Sequence, residues 1–225
     1  LLSRVFPFYM NPDLGHTPRD DLTHSTPKHF KESAQKYVLV SILGQTKVKM
    51  PKKLTTKEIL EENLSQKPPA KLAEVKVILH NIRSLHNVGS VFRSSDAFGV
   101  SELILTGYTP TPPRPEINKT AIGAEEFVEW RHFETATEII ESLKEDGYSI
   151  LGMEQTTGSI PLNKLDVNNY DKICLVMGNE VTGIDSEILE LMDEFVAIPQ
   201  FGQKHSLNVS VAAAVMLYAL LEKLS

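Results

Sequence analysis

Ile198-Pro199-Gln200-Phe201-Gly202-Gln203-Lys204-His205-Ser206-Leu207-Asn208-Val209-Ser210-Val211-Ala212-Ala213-Ala214 joins a polar, glycine-containing loop to the start of a helix rich in Ala, Val and Leu. A helix that apolar, running from Val209 to about Leu221, reads as buried all round. Ser206 and Asn208 stand at its mouth, where the first backbone N–H groups have no partner inside the helix. A lone Ser-x-Asn in that position reads first as a helix cap. Any further role depends on what the rest of the chain brings to the same place.

Working back from this stretch, short apolar runs alternate with helical patterns. Val75-Lys76-Val77-Ile78-Leu79, Leu103-Ile104-Leu105, Tyr148 to Met153, Ile173 to Met177 and Phe195 to Ile198 read as strands, and Phe127 to Trp130 as a further short one. Between them, Asn87 to Phe98 carries Val88, Val91, Phe92 and Ser95 on one helical face and stops at Gly99. Thr135 to Glu145 and Asp185 to Met192 give two more helices, and the Pro-rich run from Thr109 to Pro115 reads as a loop. Nearly continuous apolar strands between helices predict an α/β fold, a mostly parallel sheet with helices on both faces. Ligands in such sheets gather at the carboxyl ends of the strands. The loops that matter are therefore 80–87, 154–158, 178–184 and 199–206.

Ahead of residue 75 the pattern changes. Residues 1–30 carry four prolines and no usable periodicity, Tyr37 to Leu43 reads as a strand or a buried turn, and Thr55 or Thr56 caps a short helix. Lys67-Pro68-Pro69 is a stiff break. This divides the chain into an N-terminal extension, 1–74, and a main domain, 75–225. The 225 residues hold 23 Lys and Arg against 29 Asp and Glu, a net charge of −6. The extension carries +4, from 12 basic and 8 acidic residues, and the domain −10. Lys47, Lys49, Lys52, Lys53 and Lys57 form a basic cluster, which reads as a solvated face or as a surface for backbone phosphates. The single cysteine, Cys174, excludes a disulfide framework and a Cys-based zinc site and fits a reducing, cytoplasmic setting. No apolar run approaches the roughly 20 residues that span a membrane. No ligand spacing suggests a metal.

The loops hold a consistent chemistry. Asn87 opens the first helix, and Arg93, six residues on, needs a carboxylate or a phosphate to accept from it. Gly178-Asn179-Glu180-Val181-Thr182-Gly183 closes a strand with two glycines and places Glu180 on the rim that Arg93 is expected to face. This is neither a dinucleotide-binding nor a P-loop glycine pattern.

Taken together, Asn-x-Gly-x-x-x-Arg (Asn87, Gly89, Arg93), Gly-Asn-Glu-x-x-Gly (Gly178 to Gly183) and Ile-Pro followed by Ser-Leu-Asn-Val-Ser-Val (Ile198 to Val211) resemble the three motifs of the SpoU/TrmH family. These are RNA ribose 2′-O-methyltransferases of the SPOUT superfamily. The resemblance covers about residues 75–225 and leaves 1–74 aside. It implies a C-terminal deep trefoil knot, in which the 199–206 loop passes through the chain around 178–184. It also implies S-adenosyl-L-methionine as cofactor, held by Gly178, Ile198 and Leu207, with Gln155 as a further candidate. It implies a homodimer through the C-terminal helix. The residues it assigns to catalysis are Arg93, Asn87, Glu180, Ser206 and Asn208. Arg stays protonated at any ordinary pH, so Arg93 is expected to anchor the adjacent phosphate and stabilise the developing alkoxide rather than act as a base. The RNA implied is tRNA, with rRNA as runner-up. A catalytically silent RNA-binding dimer and a small-molecule methyltransferase stand as the competing classes.

Overall fold

The computed structural model describes residues 51–225. The expected strand or turn at Tyr37 to Leu43, the irregular 1–30 and Lys47 and Lys49 of the basic cluster lie outside the described residues. Among the described residues seven strands form one sheet: β1 (Val75–His80), β2 (Glu102–Thr106), β3 (Trp130–Phe133), β4 (Tyr148–Met153), β5 (Ile160–Pro161), β6 (Lys172–Met177) and β7 (Glu194–Ala197). Six α-helices accompany them: α1 (Thr56–Ser65), α2 (Leu85–Phe98), α3 (Pro115–Ala121), α4 (Ala136–Glu145), α5 (Ser186–Leu189) and α6 (Val209–Leu224). The strand order is β3-β2-β1-β6-β4-β7-β5, and every pairing is parallel.

Alternation along the central strands explains the two layers. Val75, Val77 and Leu79 of β1, with Ile173, Leu175 and Met177 of β6, point to the face covered by α2, α3 and α6. Ile78, Cys174 and Val176 point to the other, against Ile139, Ile140 and Leu143 of α4 and Ile188 of α5. A strand buried on both faces has no polar positions to spare, which is why β1 and β6 read as unbroken apolar runs. Phe92 of α2 is fully buried and meets Trp130 edge-on at 6.4 Å; burying a side chain of that size contributes about 2–3 kcal/mol. Leu72, just ahead of β1, is part of the same core.

Several elements depart from expectation, each for a physical reason. β3 begins at Trp130 rather than Phe127, because it is an edge strand whose Arg131 and His132 are exposed and break the apolar signal. The helix α3 lies beyond the expected loop: Pro115 takes its first turn, where a missing N–H costs nothing. Only Ser186–Leu189 of the expected helix at 185–192 is helical. The helix α6 is not buried all round. It buries Ala213, Met216, Leu217 and Leu220, while Val211, Val215 and Tyr218 are 48, 39 and 52% exposed.

The helix α1 starts at a capping box formed by Thr55 and Glu58 and buries none of its residues. At the amino ends of the strands, Glu102 accepts from Lys76 Nζ at 2.6 Å and from Arg131. Burial alone would raise its carboxyl, but the bonds from Arg131 and Lys76 outweigh that and hold it below the ordinary value. No helix among the described residues is long and apolar enough to cross a membrane.

Candidate active site at the carboxyl ends of the strands

A cavity of about 370 Å³ opens where β4, β6 and β7 end. Strand order reverses near here, since β1 to β3 lie on one side of β6 and β4, β7 and β5 on the other, and such switch points leave a crevice between diverging loops. Met153, Met177, Val196 and Leu207 line it with apolar surface. Gly178, Ile198, Leu207 and Gln155, the expected cofactor residues, all lie in its wall, as does Ser206.

The loop after β6 is built to stay closed. Asn179 and Gly183 exchange backbone hydrogen bonds of 2.9 and 3.0 Å, and Gly183 takes a left-handed φ of 73°. A Cβ at Gly178 would stand 2.3 Å from the carbonyl carbon of Gly183. Gly178 is therefore required by its own returning chain. Asn179 holds the loop to its neighbours: its Nδ2 donates to Asn81 O at 2.7 Å and to Tyr108 Oη at 2.8 Å, and its Oδ1 accepts from Val181 N and Thr182 N. Across the cavity, Gln155 Nε2 donates to His205 O at 2.8 Å and ties the β4 exit to the 199–206 loop.

At the rim, Glu180 accepts from Arg83 N at 3.0 Å, Ser84 N at 3.1 Å and Asn87 Nδ2 at 2.9 Å. Ser84 is the N-cap of α2, so the carboxylate sits on the positive end of that helix. Partial burial would raise the Glu180 carboxyl; the donors from Arg83, Asn87 and Ser84 outweigh it and hold it below the ordinary value. Asn87 Oδ1 in turn accepts from Asn208 Nδ2 at 3.0 Å. One polar chain, Glu180–Asn87–Asn208, thus links α2, the β6 loop and α6.

Two expectations are corrected here. The cap of α6 is Asn208, whose Oδ1 accepts from Ser210 N at 2.9 Å, and not Ser206. Arg93 does not face the rim with Glu180. Six residues along a helix is about 9 Å of rise and roughly 240° of rotation, so Arg93 lies exposed on another side of α2, lining a separate depression with Asp96, Ile122 and Phe127. It has no hydrogen-bond or ion-pair partner among the described residues. Among the wall residues left unassigned in the sequence are Asn179, although quoted in its motif, and Glu154, in a loop already marked for inspection. A carboxylate on a loop otherwise reads as solvated surface. Among the described residues no group of His, Cys, Asp or Glu could hold a metal ion.

An open parallel sheet with a cavity at its switch point, beside a polar rim, defines an α/β protein with a candidate small-molecule site. The profile of the SpoU rRNA Methylase family matches residues 74–218, and the chain belongs to that family. It is similar to a tRNA (guanosine(18)-2′-O)-methyltransferase of Borreliella burgdorferi, 30% identical over 148 residues that cover 65% of this chain and 66% of the relative. The enzyme of the same description from Thermus thermophilus is 33% identical over 160 residues, 71% of this chain and 78% of the relative. The crystal structure of an AdoMet-bound rRNA methyltransferase from Sinorhizobium meliloti superposes with a TM-score of 0.61 at 27% identity, covering 68% of this chain and 57% of that one. The chain spans just under two thirds of the length of the Borreliella relative.

Proposed function

We propose that the protein transfers a methyl group from S-adenosyl-L-methionine to the 2′-OH of a ribose in structured RNA, with tRNA as the substrate. The observation that carries this reading is the Glu180–Asn87–Asn208 chain at the lip of a cavity that fits the cofactor. Apolar walls suit an adenine, and backbone N–H and C=O groups around Gly178, Ile198 and Leu207, which line the cavity, suit its hydrogen-bonding edge. When bound there, the cofactor supplies an electrophilic methyl on a sulfonium.

The chain's own residues do the rest. Asn87, Asn208 and Ser206 orient the ribose hydroxyl, and Glu180 fixes Asn87 by holding it to the start of α2. Arg93 stays charged and, reaching the site from a second copy of the chain, grips the phosphate next to the reacting ribose and stabilises the oxyanion as the proton leaves. Its exposure, and the absence of a hydrogen-bond or ion-pair partner among the described residues, support a ligand outside the chain.

Two further features complete the reading. The 199–206 segment passes through the 178–184 loop as a deep trefoil knot; the bond from Gln155 to His205 O and the closed Asn179–Gly183 turn are consistent with a threaded, fixed loop. The protein is a homodimer through α6. Val211, Val215 and Tyr218 recur at helical spacing as an exposed apolar stripe, and Tyr218 touches Phe98 of α2 at 6.1 Å. A second copy on that stripe lies beside α2, which places Arg93 in the groove between copies. The basic extension adds phosphate contacts that the −10 domain lacks.

The rRNA reading has one support, the naming of the family and of the Sinorhizobium neighbour. Filter binding with tRNA and rRNA transcripts separates the two. Preferential retention of tRNA is expected; preferential retention of rRNA would reverse the assignment, and retention of neither would favour a small-molecule substrate. Removing residues 1–53, which leaves Leu72 in the core, is expected to weaken retention.

A further inference from the structure

We infer that Glu154 is a specificity-determining residue of the cavity: its carboxylate makes the site prefer the positively charged cofactor over the neutral demethylated product. The inference rests on the methyl-transfer reading above.

The cavity wall carries two carboxylates, Glu154 and Glu180, and neither Lys nor Arg. The two acids are not equivalent. Glu180 is committed to three donors at the amino end of α2. Glu154 accepts one backbone N–H on each oxygen, from Gln155 at 3.0 Å and from Ile184 at 3.1 Å. No cation among the described residues pairs with it. Those two bonds come from opposite sides, the β4 exit and the end of the 178–184 loop, so the carboxylate is clamped in the wall. Gly183 makes the clamp possible, since a Cβ there would stand 2.2 Å from Glu154 Oε2.

A fixed anion in a half-buried wall is screened less than one in open water. Methyl transfer breaks the carbon–sulfur bond of a sulfonium, forms a carbon–oxygen bond at the ribose and releases the hydroxyl proton, which leaves the sulfur neutral. The ligand loses one positive charge in that step, and an anionic wall then holds it less tightly. Glu154 thus favours loading of cofactor and departure of product with one fixed charge.

Calorimetric titration of the full chain with S-adenosylmethionine, S-adenosylhomocysteine and sinefungin tests this. Sinefungin carries an ammonium where the sulfonium stands. The wild type is expected to bind the two cationic ligands about tenfold more tightly than the neutral one, and Glu154→Gln to weaken both about tenfold while leaving S-adenosylhomocysteine within about twofold. Added salt should narrow the wild-type preference without any substitution. Equal weakening of all three ligands, or a preference unmoved by both Glu154→Gln and salt, overturns the inference and leaves the methyl-transfer reading standing. A wild type that binds none of the three overturns both.

Discussion

Asn208 Nδ2 donates to Asn87 Oδ1 at 3.0 Å, joining the first turns of two helices whose residues stand 121 apart in the chain. The same Asn208 caps its own helix through Oδ1, so one amide serves stability with its oxygen and the rim with its nitrogen. The two roles separate by substitution. Asn208→Ala is expected to cost about 1 kcal/mol through loss of the cap and to slow methyl transfer at least tenfold. Asn208→Ser restores the cap, because Ser caps about as well as Asn, but cannot reach Asn87; it should recover the melting temperature and not the rate. Recovery of both would leave the Asn87 link without a role.

Arg93 is exposed and unpartnered in the described chain, so Arg93→Ala should change stability by no more than about 0.5 kcal/mol. Cofactor affinity, read by calorimetry, should also hold. Transfer to RNA should fall about 100-fold or more, the scale seen when a donor to a developing oxyanion is removed. Matching losses of cofactor affinity and rate would mark Arg93 as structural.

The exposed stripe of α6 predicts the oligomeric state. Light scattering during size exclusion should give twice the chain mass for the wild type. Val215→Asp puts a charge in the middle of the stripe and should give the monomer with an intact fold, because Val215 contributes little to the monomer core. A wild-type monomer would contradict the α6 interface.

Glu102 marks where electrostatics serve the fold rather than the site. Glu102→Ala strands Lys76 and Arg131 and should cost about 3 kcal/mol, the low end for a buried pair, since the Arg131 side chain keeps 53% exposure. Its carboxyl is held below the ordinary value of 4.5. The stabilisation is therefore complete above that value and is lost as the pH falls below it and through the lowered one. Acid denaturation followed by circular dichroism should show the Glu102→Ala variant losing less stability over that range than the wild type.

The central strands were legible because β1 and β6 are buried on both faces and have to be apolar throughout. The edge was not: β3 carries Arg131 and His132 into solvent, and α3 hides behind the prolines that precede it. The cavity's place followed from the rule that ligands sit at strand carboxyl ends, whereas Gly178, Ile198, Leu207 and Gln155, which line it, were named by the resemblance to the family motifs. Arg93 shows the limit of reading spacing alone, because a motif seven residues long wraps around a helix and separates its first and last members. The exposed side of α6 escaped for a different reason: an apolar residue that awaits a second copy looks the same in sequence as one packed in the core.

The most direct test is ribose mapping. Purified full-length protein, S-adenosylmethionine and unmodified tRNA transcript would be incubated together, digested to nucleosides and analysed by mass spectrometry. The account predicts one 2′-O-methylated nucleoside, absent when Arg93→Ala replaces the wild type. Methyl groups found on a base, or unmethylated RNA alongside measurable cofactor binding, would contradict it.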